Sequence, residues 1–127
     1  MMVFSILLFA FIVILSAVYT NIYNMREAVI EREAFAFVDN VRTKINTVYL
    51  EGDGFSLNLS LPEKFTVVVT EKAEIFSYDL IIDRDSLLLD IPEFRSYRRS
   101  LLTENVSGML NKGDNLISNV KGVVVIS

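Results

Sequence analysis

The first 25 residues form one apolar block that contains no charged side chain. From Val3 to Tyr19 the sequence reads VFSILLFAFIVILSAVY, and only two small hydroxyl residues, Ser5 and Ser16, interrupt the apolar run. As an α-helix, residues 1–19 would extend roughly 28 Å, which is close to the thickness of the hydrocarbon layer of a bilayer. The pattern therefore predicts a helix whose surface is covered by lipid or by other copies of the chain.

The next segment, residues 26–51, has the period of an amphipathic helix. Its apolar positions recur every three or four residues and would lie on one stripe of the helix: Ile30, Ala34, Val38, Val41, Ile45 and Val48. Charged side chains flank that stripe, namely Glu27, Glu31, Arg32, Asp39, Arg42 and Lys44. No Gly or Pro occurs before Gly52, so we expect one long hydrophobic and amphipathic helix over residues 1–51 that ends at Gly52 and Gly54.

Beyond Gly54 the period of the apolar positions changes to two, which is typical of half-buried strands. We predict strands over residues 55–61, 65–70, 74–82, 86–91, 97–102 and 122–127. We predict that residues 103–115 form a loop with its turn at residues 112–115. Several short strands separated by charged turns predict a small antiparallel β-sandwich or barrel over residues 52–127. The expected fold class is thus α+β, with a helical segment followed by an all-β domain.

Composition narrows the chemistry that the chain can perform. The sequence contains no His and no Cys, which excludes thiolate nucleophiles, imidazole bases, disulfides and zinc sites built from these residues. Its 12 basic and 16 acidic side chains give a net charge of −4, which disfavours nucleic acid as a partner. Nothing in the sequence selects a pair of carboxylates for acid–base catalysis. We assign no catalytic residue, no cofactor and no metal, and we expect a protein that is not an enzyme.

Two charged clusters have ordinary structural explanations that we favour. Four acidic residues lie around two predicted strand ends: Asp79, Asp83, Asp85 and Asp90. They suggest a calcium site, but they lack the spacing of an EF-hand, and acidic residues are routine at turns. Three arginines are interleaved with aromatic residues: Arg95, Arg98 and Arg99. Three are too few for a nucleic-acid surface in an acidic domain, so we interpret them as a solvated face or as ion-pair partners of a neighbouring copy.

Two Asn-x-Ser sequons, at Asn58 and Asn105, are candidate sites of N-glycosylation. Asn58 lies between Leu57 and Leu59 in the first predicted strand, so its side chain should face solvent. Such tripeptides also arise by chance. Each Asn therefore has two open interpretations, a glycosylated residue or an ordinary surface residue.

The layout of the chain resembles that of archaeal type IV pilin-like proteins, a group that includes pilins, archaellins and adhesion-filament subunits. The resemblance rests on an uncharged N-terminal helix that continues into an amphipathic one, a glycine break at Gly52 and Gly54, and a small all-β domain. The stretch SLNLSLPEKFTVVV, with Leu61-Pro62 between two predicted strands, is similar to the start of the β domain in such proteins. Ser5 stands where bacterial type IV pilins carry a glutamate, which favours the archaeal branch.

The resemblance implies a structural subunit of an extracellular helical filament that serves adhesion or motility. Subunits would wait in the membrane and then assemble with identical copies, with the helices in the core and the β domains outside, where they would meet a cell surface or surface layer. The implied filament-core residues are Phe4, Phe9, Phe11, Ile12 and Leu15, together with the stripe Ile30, Ala34, Val38, Val41, Ile45 and Val48. The stripe would pack both against neighbouring copies and against the β domain of its own chain. The resemblance also implies that a basic leader is removed before Met1 and that both sequons lie outside the cell. The other interpretation is that Met1 is a true start and the helix an uncleaved anchor.

An alternative is a single-pass membrane anchor that carries an extracytoplasmic β domain. That domain would act as a binding module or as a stator-like accessory module. The two hypotheses differ in the task of the apolar helix, which would bind other copies in a filament but would serve only as a tether in an anchored module.

Overall fold

The computed structural model describes residues 2–127, without the side chains of Met2 and of residues 20–24. Within that range the chain is α+β, with helix α1 (Met2–Glu51) followed by short strands that pair mostly antiparallel, which confirms the predicted class. The chain divides into two compact units, Met1–Arg32 and Glu33–Ser127. The expected boundary lay after residue 51; the observed one is earlier because residues 33–51 share a core with the strands.

The strands of the second unit form three separate sheets. In chain order they are β1 (Ser56–Leu61), β2 (Phe65–Val69), β3 (Lys72–Phe76), β4 (Asp79–Asp83), β5 (Ser86–Asp90), β6 (Ser96–Ser100), β7 (Val106–Ser107), β8 (Gly113–Val120) and β9 (Val123–Ile126). One sheet has the order β1-β8-β9-β7, a second is the β2-β3 hairpin, and the third is the meander β4-β5-β6. The β7–β9 pair is parallel, unlike the other pairs of the described strands. No closed barrel forms from the strands of residues 2–127, so that part of the expectation is wrong.

The core of the second unit lies between the helical residues 33–51 and the sheets. The helix contributes Ala34, Val38, Val41, Ile45 and Val48, and the strands contribute every second side chain, including Leu59, Val67, Leu87, Leu89, Ile117 and Val124. Edge-to-face ring contacts join the helix to two different sheets. Phe35 meets Tyr97 of β6 at a centroid distance of 4.9 Å, and Phe37 meets Phe65 of β2 at 5.9 Å. Burial of apolar surface on this scale is the main source of stability of the second unit.

The single strand predicted over residues 74–82 is wrong, because the segment forms parts of two strands in different sheets. β3 pairs with β2, whereas β4 pairs with β5. Tyr78 lies between β3 and β4, is buried, and donates a hydrogen bond from its hydroxyl to the carbonyl of Pro62. No Gly or Pro marks this change of sheet, so the sequence pattern alone gives no sign of the break.

The loop predicted over residues 103–115 is also wrong in part, since it contains β7 and the start of β8. β8 is the main strand that the sequence pattern misses. It pairs with both β1 and β9 and therefore occupies the interior of its sheet. Two of its inward positions are polar, Asn115 and Asn119, and each is 2% exposed. Because both residues stand where a half-buried strand normally has apolar side chains, the period-two signal is weak.

The end of α1 confirms the role predicted for the two glycines. Gly52 and Gly54 have φ angles of +93° and +91°, a region that side chains with a Cβ rarely adopt. The following backbone joins β8 directly. The amide of Gly54 donates to the carbonyl of Asn119 at 2.9 Å, and the amide of Asn119 donates to the carbonyl of Phe55 at 2.8 Å. The helix end and the sheet are thus held together by the main chain.

Candidate assembly surface

The helix of the first unit exposes apolar side chains on every side. Four consecutive residues, Ile6 to Phe9, are each at least 50% exposed. Successive residues of an α-helix are rotated by about 100°, so four of them cover the whole circumference. We call the exposed apolar side chains from Val3 to Tyr19 the apolar helix surface. A helix that is apolar all round is normally covered by protein or lipid.

The apolar helix surface contains five of the residues assigned to the filament core: Phe4, Phe9, Phe11, Ile12 and Leu15. They are between 53% and 72% exposed. These side chains belong to no core of the first unit and are available to another molecule. Part of the expected segment of residues 1–25 lies outside the described residues, namely Met1 and the side chains of residues 2 and 20–24.

Within the described part of the chain, no helical stretch has both the length and the mean hydropathy that a bilayer crossing requires.

The other residues assigned to the filament core are buried in the chain itself. Ile30, Ala34, Val38, Val41, Ile45 and Val48 are at most 1% exposed. A side chain without exposed surface cannot contact a neighbouring copy, so the expected contact of these six residues with other subunits is wrong. The expected packing of the stripe against the β domain is found for residues 34–48. The helical period identifies the face that becomes buried, but it does not say what buries it. For residues 34–48 the answer is the core of the second unit.

Arg99 ties the helix of the second unit to β6. Its Nε lies 3.2 Å from Oδ1 of Asp39, and its guanidinium carbon lies 4.0 Å from the centre of the Phe35 ring. Nη2 of Arg42 lies 3.3 Å from the same oxygen of Asp39. Arg99 therefore interacts with the helix of its own chain. From the sequence we had expected a solvated face or ion pairs with a neighbouring copy. Arg98, the preceding residue of β6, is exposed.

Asn119 closes the C-terminal end of α1 from the side of the sheet. Its Nδ2 donates to the carbonyls of Val48 at 3.1 Å and Tyr49 at 3.2 Å. Its Oδ1 accepts a hydrogen bond from the amide of Gly122 at 2.9 Å. The last carbonyls of a helix have no partner within the helix, so this side chain satisfies two groups that would otherwise be buried without a donor.

Asn115 performs a comparable task at the start of β8. Its Nδ2 donates to the carbonyls of Leu59, Asn111 and Gly113 at 3.3, 2.7 and 3.2 Å, and its Oδ1 accepts from the amide of Asn111 at 2.9 Å. Neither buried asparagine was predicted from the sequence. The only signal that could have found them is their spacing around Ile117, which gives the alternation of a strand with polar inward positions.

The acidic residues singled out in the sequence do not gather into a metal site. Among residues 2–127, no group of three or more potential ligands is close enough to hold an ion. Asp79 and Asp90 are paired across β4 and β5, and Oδ1 of Asp90 accepts a hydrogen bond from the hydroxyl of Ser96 at 2.8 Å.

A cleft of about 590 Å³ lies beside Tyr78. Its lining is mainly apolar and consists of Leu61, Tyr78, Asp79, Leu80, Ile81, Met109, Leu110, Asn111 and Lys112. Burial raises the pKa of the Tyr78 phenol above its ordinary value of 10.0, and the negative charge of Glu63 raises it further. A phenol held in its protonated form is a hydrogen-bond donor and not an activated nucleophile. We therefore assign no catalytic role to the cleft.

The two sequons are both accessible. Asn58 lies in β1 with its side chain exposed, as predicted, and Asn105 precedes β7 and is also exposed. The hydroxyl-bearing residues that complete the sequons, Ser60 and Ser107, are exposed as well. Neither Asn is needed in the core of the second unit.

Comparison of the chain with protein families, curated proteins and solved structures found no match. Its function has to be inferred from the surfaces described above.

Proposed function

We propose that the chain is a structural subunit of an extracellular helical filament of the type IV pilin-like kind. The observation that carries the proposal is the apolar helix surface, which is exposed around the whole helix. Each large apolar side chain that is left in water forfeits roughly 1.5–3 kcal/mol relative to a buried one. The helix therefore requires an apolar environment in its working state, and identical helices of neighbouring copies provide one.

In the proposed filament, the core contacts are made by the five exposed residues Phe4, Phe9, Phe11, Ile12 and Leu15. Lipid covers the same side chains before assembly. The exchange of lipid for protein leaves every backbone hydrogen bond of the helix intact. No free energy is therefore lost by leaving polar backbone groups unpaired. Each subunit contacts its neighbours through two different surfaces, which is how open helical assemblies grow.

The second unit is proposed to form the outer surface of the filament. The apolar side chains of its helical residues 34–48 are already buried in its own core, and Arg99 and Asn119 fix these helical residues to two of its sheets. It needs no neighbour to complete its core. In the assembly, the apolar segment would continue the amphipathic segment as one long helix, with the strands packed around its C-terminal part as a small sandwich.

The competing function is that of a membrane-anchored binding or stator-like module. It uses the same apolar surface, but only for contact with lipid. An anchor depends on the hydropathy of the segment, whereas a filament core depends on how the side chains of the whole segment fit together and tolerates a single apolar exchange. The two functions therefore respond differently to substitutions that keep the segment apolar.

The test uses electron microscopy of the full chain produced in its own cells. We expect Phe9→Glu and Ile12→Glu to abolish filaments, because each would place a charge without a partner in the core. Phe9→Leu, which keeps the site apolar, should retain them. Replacing residues 1–25 with an unrelated apolar helix of the same length should also abolish filaments. If this exchanged chain assembles and functions normally, the segment is only a tether and the proposal fails.

A further inference from the structure

The two sequons flank one sheet of the second unit. In the order β1-β8-β9-β7, β1 and β7 are the edge strands. Asn58 lies in β1, and Asn105 directly precedes β7 at the opposite edge. The carbonyl of Asn105 accepts a hydrogen bond from the amide of Val124, so this residue continues the pairing of β7 with β9. The sheet therefore carries one sequon along each of its edges.

The outer face of this sheet is partly apolar between the two sequons. Three outward side chains of β8 and β9 are between 37% and 50% exposed: Leu116, Val120 and Val123. Asn58 is the direct pairing partner of Leu116. Ser107 is paired with Val125 in the parallel β7–β9 ladder, so Asn105, two residues earlier, lies beside Val123. Each sequon asparagine thus stands next to an exposed apolar side chain of a central strand.

The edges of the sheet also lack the usual protection against pairing with other chains. Edge strands of soluble proteins commonly carry Lys, other charged residues or Pro that discourage strand addition. β1 reads SLNLSL and β7 reads VS, so neither contains a charged residue or a proline. An uncharged edge beside an exposed apolar face invites association between copies.

We propose that Asn58 and Asn105 carry N-linked glycans that cover the outer face and both edges of this sheet. A bulky, hydrated group at each edge would shield the exposed apolar side chains and block strand addition. This inference rests on the proposed function, because it requires the second unit to lie outside the cytoplasm.

The modification is an ordinary glycosyl transfer. The donor is a lipid phosphate- or pyrophosphate-linked oligosaccharide, used by a membrane-bound transferase of the host cell. The amide nitrogen of Asn forms a bond to the anomeric carbon of the sugar, and the bond from that carbon to the phosphate oxygen breaks. The amide gives up one proton to a base of the transferase, and the lipid phosphate leaves with the electron pair. Nothing is oxidised or reduced.

The modification is tested on the full chain purified from its own cells, by mass spectrometry of the peptides that contain Asn58 and Asn105. We expect a glycan mass on both. Ser60→Ala should remove it from Asn58 and Ser107→Ala from Asn105, whereas the matched changes Ser60→Thr and Ser107→Thr keep the sequon and should keep the glycan. Unmodified asparagines in the wild-type protein would overturn the inference.

The covering role has its own test in the double variant S60A/S107A. Loss of both glycans should increase the binding of a hydrophobic dye and cause lateral association of subunits or filaments. Adding Leu116→Thr and Val123→Thr should reverse both effects. If the double variant behaves like the wild type, the glycans do not cover the face.

Filaments built from unmodified protein would contradict this inference and leave the proposed function intact. Glycosylated protein that never polymerises would contradict the proposed function alone.

Discussion

The side-chain amide of Asn119 lies 3.1 Å from the carbonyl oxygen of Val48, so a residue of the interior strand β8 closes the end of helix α1. The helix end is thereby fixed to the sheet by a side chain as well as by the Gly54–Asn119 main-chain bond. This joint holds the helical residues 33–51 of the second unit against one of its sheets.

Asn119→Ala is expected to destabilise the second unit. The substitution leaves the carbonyls of Val48 and Tyr49 without this donor, and an unsatisfied buried polar group costs about 1–3 kcal/mol. Urea unfolding of the full chain in detergent, followed by circular dichroism, measures the change. Ser118→Ala, the preceding position with its side chain on the other face of β8, is the control and should change the free energy of unfolding by much less. Equal effects of the two substitutions would show that Asn119 does not stabilise the helix end.

The Arg99–Asp39 ion pair should make only a small contribution to stability. Its side chains are 38% and 39% exposed, so water screens the charges. Pairs of this kind contribute about 0.2–1 kcal/mol. A double-mutant cycle with Arg99→Met and Asp39→Asn should give a coupling energy in that range, and it should fall further at high salt. A coupling energy that salt does not change would mean that the contact is not an ordinary partly exposed ion pair.

Gly108→Ala should be strongly destabilising. Gly108 has a φ angle of +102°, and a Cβ at this position would lie 2.2 Å from the carbonyl oxygen of Ile126. The main chain of β7 or β9 would have to move. Gly122→Ala is the matched control, because Gly122 also has a positive φ angle but no atom within 4 Å of the added Cβ. The difference between the two free energies of unfolding measures the steric clash. Gly108→Ala should lower the free energy of unfolding more than Gly122→Ala, and equal losses would contradict the clash.

Tyr78 should make the second unit less stable at high pH. Burial raises the pKa of its phenol in the folded chain, so above pH 10 the unfolded chain releases this proton first. The folded chain then binds more protons than the unfolded chain, and the free energy of unfolding falls as the pH rises. Below pH 10 the phenol is protonated in both the folded and the unfolded chain, so Tyr78 stabilises the second unit fully there. Tyr78→Phe should flatten this alkaline decline, measured by urea unfolding from pH 8 to pH 11, and an unchanged decline would contradict the role of Tyr78.

Much of the fold follows from local patterns in the sequence. The helix end at Gly52 and Gly54 and the positions of β1, β2, β5, β6 and β9 agree with the prediction to within about two residues. These elements have a clear period of apolar side chains and end at recognisable turn residues. β8 was not predictable in this way, because Asn115 and Asn119 occupy inward positions and are satisfied by partners far away in the sequence.

The period of apolar residues also does not show which part of the molecule covers an apolar helix face. Ala34 and Phe9 both lie on apolar stretches of helix, and nothing in the local sequence tells which of them packs inside the chain. In the folded chain Ala34 is fully buried, whereas Phe9 is 70% exposed. The difference arises because the strands fold back over residues 33–51, which is a long-range event.

In the proposed filament, the apolar helix surface is covered by other copies of the chain. Cryo-electron microscopy of the protein purified from its own cells, in the absence of detergent, would show this contact. We expect filaments with helical order in which Phe4, Phe9, Phe11, Ile12 and Leu15 of one copy contact the same helical segment of its neighbours, with the sheets on the outside. A protein that stays monomeric after detergent is removed, or filaments held together by the sheets with this segment outside the core, would contradict it.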